Sequence, residues 1–143
     1  TLLRTNLLPG LLRLLSSNKH NELPQKIYEL GNVVRNNSNS THASWLVASP
    51  TGGFAECRGM LQAIMRDMAL EKFNIDYHLK PTNKKQGPWL NGRGAEIIVS
   101  GVKIGEMGEI DPHISRNFDL KVPIQGAELY LDKLRKLVQD PVH

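Results

Sequence analysis

With 143 residues, 40% of them hydrophobic and 22% charged, the chain has the size and composition of one globular domain, 1–143, and is too short for two ordinary ones. No apolar run approaches the roughly 20 residues that a membrane-spanning helix needs, and the N-terminal leucines, broken by Arg4, Pro9 and Arg13, lack a signal-peptide cleavage site. A lone Cys57 permits no internal disulfide, which suits a reducing cytoplasm, and the net charge of +4 is only a weak pointer to an anionic partner. Thr1 in place of Met is expected of a fragment or a processed product.

In chain order, the first stretch is the most distinctive: eight leucines fall within the first fifteen residues. Leu8, Leu11, Leu12 and Leu15 recur at helical spacing, and Leu7 and Leu14 widen that face, so part of the stripe is expected to meet another subunit. Asn6 fits an N-cap, with Pro9 in the first turn. A polar exit, Ser16 to Asn21, leads to a strand over 26–34, where Gly31 suits a bulge. A polar turn from Arg35 to Ser40 and a returning strand over 42–49 complete a hairpin. Phe54, Cys57, Leu61, Ile64 and Met68 then mark an amphipathic helix, with Gly59 expected to allow close approach to a strand.

Strict alternation from Phe73 to Lys80 predicts a strand with one wet face. A long polar connection over 81–94 carries Lys84, Lys85 and Gly92-Arg93-Gly94. Strands over 95–100 and 102–110 join through a tight turn at Gly101, and Asp111-Pro112 starts a short helix toward Phe118. A last strand over 122–132 and a terminal helical turn or two over 133–139 give six strands and two substantial helices. The hairpins argue for an α+β fold, a mainly antiparallel sheet with helices on one face.

Chemistry is sparse. His20, His42, His78, His113 and His143 have no spacing that suits a metal, Cys57 lies on an apolar helix face, and Glu106 should point away from Glu109. Lys84, Lys85 and Arg93 are the candidate phosphate or RNA contacts, against a solvated turn as the plainer reading.

Taken in order, LLRTNLLPGLLRLLSSN, PQKIYELGNVV, GFAECRGMLQAIMRDM, GRGAEIIVSGVKIGEMGEIDPHISRNFDL and AELYLDKL resemble the β subunit of phenylalanyl-tRNA synthetase, in its synthetase-like core. The resemblance covers nearly the whole chain; its most specific stretches are LRTNLLPGLL and GRGAEI followed by IGEMGEIDP, with Asp-Pro where the family usually has His-Pro. It implies the class II synthetase fold, an antiparallel sheet flanked by helices, within a longer β subunit of the archaeal or eukaryotic kind. It also implies that the opening helix, through Leu7, Leu8, Leu11, Leu12, Leu14 and Leu15, builds a subunit interface.

In that family the α subunit is catalytic, the assembly is an (αβ)2 heterotetramer that charges tRNA using ATP and Mg2+, and β carries a degenerate copy of the fold. Arg35 is the one residue here that matches the ATP-holding arginine of the class II strand-loop-strand motif, but Asn36 and Asn37 replace the acidic residue expected close behind it. No Gly-rich C-terminal segment with a second ATP-clamping arginine follows. The resemblance therefore implies no catalytic residue, metal or cofactor site in this domain, an inactive isolated chain, and self-association as one way to bury leucine surface left without its partner. A self-sufficient adenylating ligase and a free-standing pseudo-synthetase module that binds tRNA or a protein are the rival readings.

Overall fold

The computed structural model describes residues 4–68, 76–82 and 87–139. Its centre is a six-stranded antiparallel sheet in the order β1-β2-β6-β5-β4-β3, formed by β1 (Gln25–Arg35), β2 (Ser38–Ala48), β3 (Tyr77–Thr82), β4 (Trp89–Val99), β5 (Val102–Ile110) and β6 (Ile124–Tyr130). Helices flank both faces rather than one. α2 (Phe54–Asp67) and α4 (Leu131–Gln139) cover one face, over Trp45, Val47, Ile97, Met107, Ala127 and Leu129. α1 (Leu8–Ser17) and α3 (Pro112–Asn117) lie at one end of the other, over Leu46, Ala48, Ile110 and Ile124. Two faces need cover because β2 and β6 are central strands buried on both sides, so a single helical layer would leave the second apolar surface wet.

Local chemistry explains most boundaries. The Asp111 side chain accepts a hydrogen bond from His113 N–H at 2.9 Å and Pro112 opens α3, as expected of an Asp-Pro start. Ser100 and Gly101, both left-handed, make the two-residue turn between β5 and β4. The segment from Arg35 to Ser40 is not a six-residue turn: Arg35 pairs with Ser38, and only Asn36 and Asn37 turn, with φ of 51° and 63°. Asparagine tolerates the left-handed region that such a hairpin requires.

Three glycine and boundary expectations are corrected. Gly31 makes no bulge, since β1 and β2 stay in unbroken register; a Cβ there would lie 3.0 Å from Leu7 and 2.7 Å from the Arg4 guanidinium, so the glycine admits the segment that enters α1. Gly59 faces open space rather than a strand. β4 begins at Trp89, so Gly92 and Gly94 belong to an irregular strand, where the missing Cβ of Gly94 leaves room for the Trp89 side chain. The strand over 73–80 is described only from Tyr77, where it runs on to Thr82, and its first residues lie outside the described region.

The start of α1 differs most from expectation. Leu7, not Asn6, precedes the helix, and no local side chain caps it. Pro9 has no N–H, and Leu11 N–H already bonds to Leu7 O, which leaves few donors free at this end. Two of them, Leu7 and Leu8 N–H, donate to the carboxylate of Glu128 at 3.0 and 3.1 Å. Glu128 lies in the middle of β6, is only 4% exposed, and also meets His42 Nδ1 at 2.5 Å. One buried carboxylate thus caps α1 against the positive end of its dipole and ties it to β6 and β2.

Leu7, Leu8, Leu11, Leu12 and Leu15 are consequently core residues of this domain, and of the six leucines expected at an interface only Leu14, 48% exposed, presents its side chain outward. Replacing Glu128 by Ala leaves the helix donors and His42 without their acceptor, and is expected to cost about 3 kcal/mol, the usual range for breaking a buried charged network. Urea denaturation measures this; a loss under about 0.5 kcal/mol, the level of an ordinary surface change, would show that the cap is unimportant.

Candidate functional site

The sheet face that carries α1 and α3 is covered at one end only. Across it runs a polar row in which Glu29, Ser44, Glu128, Glu106, Glu96 and Lys80 stand opposite one another through all six strands. Lys103 joins Glu96 and Glu106 at 3.1 and 2.7 Å, and Trp89 Nε1 donates to Glu106 at 3.3 Å. The carboxylates at this end are therefore engaged with a lysine and an indole, not poised as an acid–base pair.

Beyond the uncovered end of α1 lies an open cleft of about 730 Å3, lined among others by Arg35, Ser38, Ser40, His42, Lys103, Tyr130 and Lys133. Its hub is Tyr130, the last residue of β6. The Arg35 guanidinium lies 5.0 Å from the ring centroid, Lys133 Nζ 5.3 Å, and the His42 ring 4.9 Å. Asp132, in the first turn of α4, also lines the cleft; it accepts Thr41 N–H at 3.0 Å and pairs with Arg135 at 3.5 Å. Arg35 is thus held at a hairpin end against an aromatic ring. Among the described residues, no group of three His, Cys, Asp or Glu side chains has the arrangement to hold a metal ion.

The other candidates do not join this cleft. Arg93 is an exposed residue of β4, and its carbonyl packs 2.4 Å from where a Cβ on Gly108 would stand, so Gly92-Arg93-Gly94 is not a loop that offers N–H groups to a phosphate. Lys84 and Lys85 lie outside the described residues. Sequence reasoning missed Tyr130, Lys133 and Lys103, whose convergence depends on pairings far apart in the chain. Glu128 could have been flagged, since an acid inside the apolar run Ala127-Glu128-Leu129 is a buried charge that needs a partner.

Cys57 is buried on the strand side of α2, and its carbonyl accepts Trp45 Nε1 at 3.0 Å. Burial pushes its thiol from 9.0 up to about 12, which removes the nucleophilic thiolate at neutral pH.

Comparison with solved structures gives the class first. The pyrrolysyl-tRNA synthetase PylSc of Desulfitobacterium hafniense superposes with a TM-score of 0.68 over 96% of this chain and 50% of that one, at 16% identity. A second pyrrolysyl-tRNA synthetase structure from that organism gives 0.67 at 18% identity. The fold is that of a class II aminoacyl-tRNA synthetase. Residues 1–131 match the family model of the phenylalanyl-tRNA synthetase β chain CLM domain. The chain is 37% identical over 131 residues to the phenylalanine–tRNA ligase β subunit of Archaeoglobus fulgidus, and 39% identical over 134 residues to that of Methanosarcina acetivorans. It therefore belongs to the phenylalanyl-tRNA synthetase β chain family, while covering 23% of the length of each of those two relatives.

The Cys57 environment makes a pH-dependent prediction. Its pKa is raised in the native state, so the unfolded chain loses this proton first and stability falls as pH rises from 9.0 to about 12. Relative to a Cys57→Ala variant, the native chain is expected to lose about 1.4 kcal/mol per pH unit above pH 9. Denaturant titrations of both proteins through that range check it; parallel pH profiles would contradict it.

Proposed function

We propose that this chain is a non-catalytic, class-II-like module of a phenylalanyl-tRNA synthetase β subunit, one domain over 1–143, that scaffolds the catalytic α subunit in an (αβ)2 assembly. In this reading ATP and Mg2+ serve the α subunit, tRNA reaches the module through the whole enzyme, and the setting is the cytoplasm. Among the described residues no helix is long and apolar enough to cross a membrane, in keeping with that setting.

The observation that carries the reading is the geometry around Arg35. The family resemblance matches Arg35 to an ATP-holding arginine, but β1 and β2 are closed by Asn36 and Asn37 alone. That turn leaves no loop to fold over a nucleotide and places no carboxylate behind the arginine. Arg35 instead rests on Tyr130, with Lys133 on the same ring. Adenylation requires cations and metal-holding carboxylates fixed together around a triphosphate, and this cleft supplies cations without that set. A self-sufficient adenylating ligase is disfavoured on the same grounds.

For the heterotypic contact, the burial of its neighbours leaves Leu14 as the residue of the opening helix to offer surface to α. Co-expression of the chain with an archaeal phenylalanyl-tRNA synthetase α subunit is expected to yield a complex by size exclusion and light scattering. Leu14→Lys is expected to weaken it about tenfold, as for loss of one well-packed contact residue. Absence of any complex would overturn the scaffold reading; an unaffected complex with Leu14→Lys would remove the leucine helix from the interface.

A further inference from the structure

β1 is an edge strand of 11 residues whose register with β2 is unbroken. Edge strands are usually shortened, bulged, covered or charged, because their outward N–H and C=O groups otherwise template a new strand. In an antiparallel ladder both backbone groups of a residue face the same neighbour, and the direction alternates along the strand. Val34 N–H bonds outward to Arg4 O at 2.9 Å and Asn32 O accepts from Arg4 Nε at 3.0 Å, so the even-numbered residues face the edge. Arg4 straps that end, and Pro24, with no N–H, lies just before the other. Between them Lys26, Tyr28 and Leu30 point their backbone groups outward, where no other described strand pairs with them.

The side chains of this stretch are equally unguarded. Tyr28 and Leu30 are 58% and 57% exposed, although their partners across the ladder, Trp45 and Ala43, are buried beneath α2 and α4. The apolar face under the helices thus continues over β2 onto β1 without cover.

We propose that this edge is a docking strand for a second copy of the chain, paired antiparallel about a two-fold axis at Tyr28. The open stretch is self-complementary. A two-fold at Tyr28 sets Tyr28 opposite Tyr28 of the second copy and Lys26 opposite its Leu30, so every outward residue meets another outward residue. Three hydrogen-bonded pairs form, and no two lysines face each other. Diagonally, each Lys26 ammonium lies within reach of the other copy's Tyr28 ring. The same axis brings Glu22, exposed just before β1, alongside Arg4 of the second copy, whose guanidinium already pairs with its own Glu29 at 3.0 Å, so opposite charges meet where the pairing ends. Main-chain pairing alone would accept any extended strand; the lysine–leucine matches and the opposite charges that this axis brings together at each end are what favour a second copy as the occupant.

Analytical ultracentrifugation of the chain alone, from low micromolar to submillimolar concentration, tests the proposal. A reversible monomer–dimer equilibrium is expected, weakened at least about tenfold by Leu30→Lys. Tyr28→Pro, which removes one outward N–H that β2 does not use, is expected to abolish it. Circular dichroism of both variants verifies that the monomer stays folded. Amide exchange supplies the register: Lys26, Tyr28 and Leu30 gain protection as concentration rises, while Ile27 and Glu29, whose groups face β2, do not change. A chain that stays monomeric throughout overturns the proposal, as does a dimer insensitive to Leu30→Lys or one whose protected amides lie elsewhere.

Discussion

The buried carboxylate of Glu128 is the interaction on which the placement of α1 depends. A helix that opens on Leu7 and Pro9 has no capping side chain of its own, and its donors must be satisfied before its leucines can be buried. Glu128 accepts Leu7 and Leu8 N–H and meets His42, and the carboxylate is itself tolerable in the interior only because these groups surround it. Helix and charge solve each other's problem, which brings together residues 121 positions apart.

The position of α1 then determines what the rest of that sheet face can be. Anchored above β6, the helix spreads its leucines over Leu46, Ala48 and Ile124 and stops short of the hairpin end. The remaining surface keeps the polar row and the Arg35–Tyr130–Lys133 cleft open. This open face holds cations on an aromatic ring, and of the carboxylates in its polar row Glu96 and Glu106 are engaged by Lys103 and Trp89, Glu128 by the α1 cap and Glu29 by Arg4. The chain keeps the architecture of a class II synthetase, and the proposed scaffold role rests on how the described residues of this cleft are engaged.

What was legible in the sequence is what local chemistry controls. The alternation in β3, the Asp111-Pro112 start of α3, the Ser100-Gly101 turn and the buried face of α2 around Cys57 and Leu61 all follow from nearest neighbours in the chain. The hairpin at Arg35 was harder, because Asn and Ser have low strand propensity and the solvated end of an edge pair resembles a loop. Asn6 was a reasonable cap on composition alone, and it lost to an acceptor on a strand far along the chain. For the same reason Leu7 looked like interface and is core. Of the candidate site, Arg35 is visible through family resemblance, whereas Tyr130 and Lys133 come to lie beside it only through the β1-β2-β6 order of the sheet.

The central proposal, a synthetase fold that serves as a non-catalytic module, is tested most directly by isothermal titration of the chain with ATP in the presence of Mg2+ and phenylalanine. The account predicts no saturable heat and no phenylalanine-dependent exchange of pyrophosphate into ATP. Stoichiometric ATP binding that Arg35→Ala abolishes, accompanied by that exchange, would contradict it.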